Sequence, residues 1–433
     1  MTFIKKHKNL VVWLILFGAM TFATLNIHSR AKEFNYHSEI FSDKAGYYIY
    51  LPALFIYHFN TNEFPDSIEN KTGEGFFFDR KLNKINTKYP CGIAILEMPF
   101  FLITHAYCIL NNIPANGFTR PYNYSIDIAA VFYLMFGLIF LFKYLKNYFE
   151  EKIIYVSIFL YLMGTNLYYY AAQETGLSHI YSFFLVAVFL YFYKKYLVSN
   201  SYKNIIIPAI CFGFIILVRP INIIFFLPLF FFDVTSFENI KQRLFISWKH
   251  FIFLGIISLI ILIPQFIYYH YLYNSLLSYS YGNESFIYKF NPQILKVLFA
   301  FENGFFTNNP IQIFMLIGLF LLLIRKKHNG IIIISVFILI TYTYASWWSY
   351  KLGCGLGHRG FVDFYAVLII PFAYFIKLVF EIKSSYLKYS IFFFLLLCVT
   401  INMKLIYTYD GCWYGNGPWD YSQFAKLLFN PTN

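Results

Sequence analysis

Asp43 lies where an acidic side chain could act on a substrate. It follows a polar stretch and precedes an aromatic-rich amphipathic segment that contains Tyr47 and Tyr48. A carboxylate held against a helix at a membrane surface can act as a base toward a hydroxyl or an amine, because partial desolvation raises its pKa. Aspartate is also a favoured helix N-cap. The spacing supports both interpretations of Asp43 equally, and it makes Tyr47 and Tyr48 candidates for an adjacent cleft.

A second acidic position, Glu174, lies in a short turn between two apolar runs, five residues before His179. Ionisable groups at membrane depth are costly and are therefore default candidates for function. Glu174 is thus a second candidate catalytic residue, and His179 is a candidate for the cleft. The alternative is a solvated glutamate with a histidine that caps the next helix.

Arg219 interrupts the apolar run 205–232 and is followed by Pro220 and Asn222. A cation and a helix break together suit an anion such as phosphate, because the guanidinium offers a planar fork of donors to its oxygens. Asn222 would belong to the same cleft. The alternative is an arginine that extends from a tight hairpin to the lipid headgroups.

The segment 347–360 is the most specific stretch of the chain. Trp347 and Trp348 precede three alternating glycines at 353–357, and His358 and Arg359 follow. Glycines allow close backbone approach, and tryptophans can stack on sugar faces. An aromatic belt at the membrane interface would explain the tryptophans but not the glycines and cations. The pattern is not a dinucleotide fingerprint, because its spacing differs and no strand precedes it. His358 and Arg359 are therefore candidate phosphate ligands.

Other candidates are less specific. Lys44, beside Asp43, is a further possible phosphate ligand, and Glu302 and Asn303 fit a cleft without defining one. The sequence contains six cysteines, and their spacing predicts no metal site. Cys354 and Cys412 would share one side of a membrane, which would allow a disulfide bond between them.

The elements that must position these residues follow from the composition. Of the 433 residues, 59% are apolar and 13% are charged, about half the charged share of a soluble domain. The apolar residues form runs long enough to cross a hydrocarbon layer of about 30 Å. This excludes a soluble enzyme and predicts an all-α, polytopic transmembrane bundle in a lipid bilayer. The net charge of +13 is then better explained by orientation than by nucleic acid.

Ten strong apolar runs set the expected topology. They are 10–27, 125–145, 153–172, 179–197, 205–232, 251–271, 310–324, 331–345, 361–380 and 387–407. If 205–232 is a hairpin broken at Arg219, the chain makes about eleven crossings. The first run is interpreted as an uncleaved span rather than a signal peptide. The weaker runs 47–59 and 91–110 are interpreted as interfacial or re-entrant helices. The chain is expected to form a single membrane domain, 1–433.

Basic loops set the expected orientation. In this topology five short basic segments fall on the side of the N-terminus, which is then cytoplasmic. They are 143–152, 194–203, 241–249, 325–327 and 377–388. A full crossing by 91–110 would place them outside, which is why that run is interpreted as re-entrant. The long first loop, 28–124, and the tail, 408–433, are then external, as are most of the candidate residues.

In these elements the chain resembles the polytopic GT-C glycosyltransferases, which include protein O-mannosyltransferases and the aminoarabinose transferases of lipid A, and within them bacterial membrane proteins. The resemblance rests on short motifs in order along the chain. They are Asp43 with its aromatic helix, 89–92 (Tyr-Pro-Cys-Gly), Gly-Thr-Asn-Leu-Tyr (164–168) running to 178–179, 218–222, 302–304, and Trp347-Trp348 with 357–359.

The resemblance implies inverting transfer of a sugar from a polyprenyl-phosphate donor to an acceptor glycan, lipid or protein. Asp43 matches the acidic residue of the family that orients or deprotonates the acceptor. Glu174 matches a second acidic position, where aspartate is more frequent. Arg219 and Arg359 would bind the departing phosphate. Some relatives use a divalent cation, which is left open here. The site would face outward from a bacterial inner membrane.

Two other functions use similar chemistry. A transporter or flippase for lipid-linked sugars would predict inverted repeats and broken helices in both halves of the chain. A polysaccharide polymerase or ligase would favour a very large loop late in the chain, whereas the largest loop here is the first. An anchoring protein would not need Arg219 at membrane depth.

Overall fold

A computed structural model describes residues 8–29, 31–234, 237–326, 329–409 and 420–429. The described chain is mainly helical, with one small hairpin of two strands. Seven of its helices are long and apolar enough to cross a membrane, and four shorter apolar helices accompany them. The long apolar runs thus become helices, as expected where every backbone group must be satisfied within its own segment.

The elements follow one another along the chain without large gaps. They are α1 (Lys8–His28), α2 (Asp43–Tyr48), α3 (Tyr50–Phe55), α4 (Ile68–Lys71), β1 (Phe77–Asp79), β2 (Lys84–Asn86), α5 (Gly92–Leu110), α6 (Arg120–Leu145), α7 (Glu151–Gly164), α8 (Leu167–Ala172), α9 (Ser178–Ser199), α10 (Tyr202–Val218), α11 (Asn222–Phe226), a 3₁₀ turn (Leu227–Phe231), α12 (Phe237–Tyr273), α13 (Ile294–Phe299), α14 (Phe305–Asn308), α15 (Gln312–Ile324), α16 (Gly330–Ser346), a second 3₁₀ turn (Arg359–Phe364), α17 (Tyr365–Glu381), α18 (Ser385–Thr408) and α19 (Tyr421–Phe429).

Helices α6, α9 and α17 form the centre of the bundle. Most of their side chains are buried, and α9 packs against α6, α10 and α17. Apolar side chains face outward on α1, α12 and α18, for example Phe22, Leu259 and Phe393. Large exposed apolar faces on helices of this length suit contact with lipid. The fold is therefore that of a multi-pass helical membrane protein.

One end of the bundle is held by a charged cluster. Asp233 contacts Lys194 Nζ at 2.7 Å, and it accepts hydrogen bonds from Tyr148 and Asn329 at 3.1 Å each. These residues belong to or adjoin predicted cytoplasmic segments. His179 lies 15 residues before Lys194 on α9, which places it about 22 Å away along the helix. The two ends of α9 therefore carry different chemistry.

The segment 31–119, here called the first-loop cap, folds against the bundle. Helices α2 and α3 are buried in a second apolar cluster that includes Phe101 of α5 and Ile126 of α6. Strands β1 and β2 pair antiparallel, with Phe77 opposite Asn86. The predicted helix at 47–59 is thus two short helices, enclosed by protein rather than laid on a surface.

Two expected elements differ from the structure. The run 91–110, interpreted as interfacial or re-entrant, forms the 19-residue helix α5, which is long and apolar enough to cross a membrane. The predicted break at Arg219 is confirmed, because α10 ends at Val218. However, the apolar helix that follows, Asn222–Phe231, has ten residues and reaches only about half the thickness of a ~30 Å hydrocarbon layer. It is too short for the second crossing of a hairpin.

Candidate functional site

A cavity of about 490 Å³ lies between the first-loop cap and the ends of α9, α10 and α16. The four segments predicted as outer loops, 28–124, 173–178, 272–309 and 346–360, all contribute to its wall. Seven of the predicted site residues line it: Asp43, Tyr47, His179, Arg219, Trp347, Trp348 and Arg359. The fold therefore brings together residues that are more than 300 positions apart in the sequence.

The backbone places Asp43 at the edge of this cavity. Helix α2 begins at Asp43, and Ser42 before it adopts a left-handed φ of 50°. Gly75 packs against this turn so closely that a Cβ there would lie 1.9 Å from the Ser42 carbonyl oxygen. The Asp43 carboxylate accepts hydrogen bonds from the Tyr89 hydroxyl and from Arg359 Nη2, the latter at 3.3 Å. The N-cap position belongs to Ser42, so the capping interpretation of Asp43 does not hold.

The electrostatics of Asp43 differ from the expectation. Burial raises the pKa of Asp43, but the Arg359 guanidinium and the Tyr89 hydroxyl outweigh burial and hold the pKa below its usual value. The expected rise in pKa is therefore wrong for the protein without substrate. The side chain is 35% exposed, and because it lines the cavity this exposure faces the cavity interior. Asp43 is thus an accessible, ionised carboxylate at neutral pH.

A second carboxylate, Asp363, lies behind the cavity wall in the 3₁₀ turn that precedes α17. It is completely buried and lies 2.7 Å from His179 Nδ1. It also accepts hydrogen bonds from Arg219 Nη1 at 3.1 Å and from Asn222 Nδ2 at 2.9 Å. The Arg219 side chain is 15% exposed. Asp363 therefore fixes one edge of the Arg219 guanidinium, while Arg219 contributes to the cavity lining.

Sequence reasoning missed Asp363, although a signal for it existed. An acidic residue inside the apolar run 361–380 meets the same criterion of costly charge at membrane depth that singled out Arg219. Its partners come from three separate segments. Their convergence depends on the tertiary fold and is not visible in the local sequence.

The glycine-rich segment positions Arg359 without supplying other cavity cations. Gly353 and Gly357 have φ values of +80° and +66°, a conformation that favours glycine. Asn303 donates hydrogen bonds to the carbonyls of Lys351 and Gly353 at 3.0 and 3.1 Å. Glu302 pairs with Lys351 at 2.9 Å. Glu302 and Asn303 therefore support this segment from outside the described cavity lining.

His358 does not serve as a phosphate ligand in this arrangement. Its ring is completely buried and packs against Tyr344 and Phe361, each with a centroid distance of 5.2 Å. Burial lowers the pKa of His358 to about 3. The imidazole is therefore neutral at neutral pH, and it lies behind the described cavity lining.

Four other predicted residues also lie outside the described cavity lining. Lys44 Nζ pairs with Glu174 Oε2 at 3.1 Å, and the Lys44 side chain is 5% exposed. Tyr48 is buried and donates a hydrogen bond to the Gly117 carbonyl at 2.6 Å. Asn222 contacts the cavity indirectly, through Asp363. The amphipathic pattern could not separate Tyr47 from Tyr48, because consecutive residues on a short helix face different neighbours.

The opposite wall of the cavity is aromatic and includes an ion pair. The Trp347 ring packs against Phe286 with centroids 4.7 Å apart. Lys88 pairs with Glu284 at 2.7 Å and lies over the Tyr281 ring at 5.6 Å. Sequence reasoning missed Lys88, Tyr281 and Glu284, because the segments around them resemble ordinary polar loops. With these residues, three cations and two carboxylates line the cavity.

One group among the described residues could hold a metal ion, and it lies outside the cavity lining. It consists of His28, Glu39 and Asp127. Cys354 is disulfide-bonded, whereas its expected partner, Cys412, lies outside the described residues. The predicted tail, 408–433, is described only at 408–409 and in α19 and the residue before it.

The fold and the cavity together define a multi-pass helical membrane protein with a charged, aromatic cavity beside its first-loop cap. No known family model matches the chain, and no curated protein is similar to it in sequence.

Proposed function

We propose that the protein is a GT-C-like glycosyltransferase that moves a sugar from a polyprenyl-phosphate donor to an acceptor glycan, lipid or protein. One observation carries the proposal. An accessible carboxylate, Asp43, and two guanidiniums, of Arg219 and Arg359, line a single cavity at the boundary of an apolar helical bundle. A base and a phosphate-binding pair are the groups that this reaction requires.

The two arginines suit the phosphate of the donor. Arg219 is held by Asp363 and lies next to Pro220 and the short helix α11. Ile223 and Ile224 of that helix line the cavity and are each 38% exposed. The charged and the apolar parts of a lipid phosphate would therefore find neighbouring surfaces. Charge that develops on the leaving phosphate is stabilised by cations that are already in place.

Asp43 suits the acceptor. In the reaction the acceptor oxygen or nitrogen forms a bond with the anomeric carbon, the bond from that carbon to the phosphate oxygen breaks, and the acceptor proton passes to Asp43. The lipid phosphate leaves with the bonding electron pair. A single in-line displacement inverts the configuration at the anomeric carbon.

The contact between Asp43 and Arg359 gives the reaction an order. While Arg359 pairs with Asp43, the carboxylate is a weak base, because the guanidinium lowers its pKa. A donor phosphate that draws Arg359 away would remove this stabilisation and raise the pKa of Asp43. The base would therefore become effective after the donor has bound.

The proposed location is a bacterial inner membrane, with about eleven crossings, a cytoplasmic N-terminus and an external cavity. The charged cluster around Asp233 supports this orientation, because it gathers basic segments at the end of α9 that lies away from His179. In this arrangement α5 enters the bilayer beside α6 without reversing the later helices. Cysteine labelling at 120 and at 200 from the two sides of the membrane tests the orientation.

The activity is tested in two stages. Mass spectrometry of envelope glycans from a deletion strain identifies the sugar that is lost. The purified protein is then assayed with that sugar on a polyprenyl phosphate, and transfer is compared with that of Asp43→Asn. Asp79→Asn, which changes an exposed carboxylate of the β-hairpin, is the matched control. Normal transfer by purified Asp43→Asn contradicts the assignment of the base. An unchanged glycan profile together with no transfer from any polyprenyl-phosphate sugar contradicts the function.

A further inference from the structure

A buried cluster of ligand-type side chains lies outside the cavity lining. His28 ends α1, Glu39 belongs to the first-loop cap, and Asp127 lies in α6. His28 Nδ1 contacts Glu39 Oε1, and His28 Nε2 lies 3.6 Å from Asp127 Oδ1. The side chains of all three residues are at most 4% exposed. Three segments far apart in the sequence thus place an imidazole and two carboxylates together.

The charges around this cluster do not balance. Lys44 and Glu174, which pair with each other, are its charged neighbours. With a neutral His28, three carboxylates therefore face one ammonium group. Buried charges are costly unless they are paired or coordinate a metal. A further positive charge of about two units would neutralise the group.

One carboxylate oxygen points to the same conclusion. Asp127 is 1% exposed, and its Oδ1 accepts a hydrogen bond from Thr175 at 2.8 Å. Its Oδ2 is buried and has no hydrogen-bond partner within the described residues. Buried polar atoms are nearly always satisfied, so an unsatisfied carboxylate oxygen requires an explanation such as an ion.

We propose that His28, Glu39 and Asp127 bind a divalent cation. One ligand atom from each residue can be chosen so that all three lie within 4.8 Å of one another. A tetrahedral ion with bonds of about 2.0–2.2 Å requires ligand atoms roughly 3.3–3.6 Å apart, so small side-chain rotations suffice. A mixed imidazole and carboxylate set suits Zn²⁺ or Mn²⁺ better than Mg²⁺ or Ca²⁺, which prefer oxygen alone.

The ion would be structural. It would join the first-loop cap to α1 and α6, and Glu39 precedes Asp43 by only four residues. Because the three ligands lie outside the described cavity lining, the ion would contact no substrate there. Its role would be to hold the segment that carries Asp43. The competing occupant is a proton, which would make His28 an imidazolium between two carboxylates.

The test uses the full-length purified protein, stripped with a chelator and titrated with Zn²⁺ and with Mn²⁺. Calorimetry gives the stoichiometry, and thermal unfolding gives the stabilisation. We expect about one ion per chain for at least one of the metals, a raised unfolding temperature, and binding weakened at least tenfold in Glu39→Gln and Asp127→Asn. Glu97→Gln is the control, because Glu97 is an equally buried carboxyl, bonded to Tyr181.

A spectroscopic measurement protects the test against variants that fold poorly. Co²⁺ bound to wild type should show d–d absorption of a low-coordinate N/O site, and added Zn²⁺ should abolish it. Absence of stoichiometric binding of both metals to wild type overturns the proposal and favours the proton. Undiminished binding in Glu39→Gln and Asp127→Asn overturns it as well. Neither result depends on glycosyl transfer, so the proposed function is judged separately.

Discussion

The site contains two aspartates that each face an arginine, and their surroundings differ. Asp43 meets Arg359 through one contact of 3.3 Å at the cavity surface. Asp363 is completely buried and accepts hydrogen bonds from Arg219 and Asn222, in addition to its contact with His179. The first pair can exchange partners at little cost, whereas the second is part of the protein interior.

This difference separates chemistry from support. A surface ion pair contributes little to stability, because water and substrate compete for both groups. Breaking a buried pair is strongly destabilising, because it leaves an uncompensated charge in a medium of low dielectric constant. Asp43 should therefore matter for turnover and Asp363 for folding, although both are aspartates with an arginine partner.

The largest expected effect is on stability. Asp363→Ala leaves the Arg219 guanidinium without its buried carboxylate, and it should destabilise the protein by about 3–5 kcal/mol. Denaturant or thermal unfolding in a mild detergent measures this loss. Asp79→Ala, at an exposed position of β1, should change stability by less than about 0.5 kcal/mol. Equal stability of Asp363→Ala and wild type would remove the distinction between the two pairs.

The next effect is on turnover. Asp43→Asn keeps the shape of the side chain but cannot accept the acceptor proton. It should reduce transfer by roughly 10²- to 10⁴-fold, the usual contribution of a general base. Its unfolding temperature should stay close to that of wild type. Initial rates and thermal unfolding on the same preparation check both statements. A loss of stability in parallel with activity would instead make Asp43 a structural residue.

The sequence predicted the helical class and about half of the site, and the reason is physical. Long apolar runs define membrane helices locally, and Arg219 was visible because a charge inside such a run is unusual. Lys88 and Glu284 were not visible, because their pairing joins loops almost 200 positions apart. His358 was taken for a cation since its burial by Tyr344 depends on tertiary packing. Type and spacing identify unusual residues, while partners require the fold.

A smaller effect concerns donor binding. In Asp43→Asn the Arg359 guanidinium loses a competing anion, so a short-chain prenyl phosphate should bind roughly two- to fivefold more tightly, the size of one exposed ion pair. Arg359→Gln should weaken binding, and the double variant should behave like Arg359→Gln alone, because the two side chains share one interaction. Calorimetry on the four proteins measures the coupling. Tighter binding in an inactive variant would support the exchange of partners, whereas additive effects would contradict it.

The smallest effect is on the pH dependence of stability. The folded pKa of Asp43 lies below its usual value, so the pair with Arg359 contributes its full stability above the unfolded pKa of about 4. This contribution is lost only as the pH falls through the lower, folded pKa. The difference in unfolding temperature between wild type and Asp43→Asn should therefore be constant from about pH 5 to 8 and change below about pH 4. A change near neutral pH would mean that Asp43 is already a stronger base without donor, and that Arg359 does not restrain it.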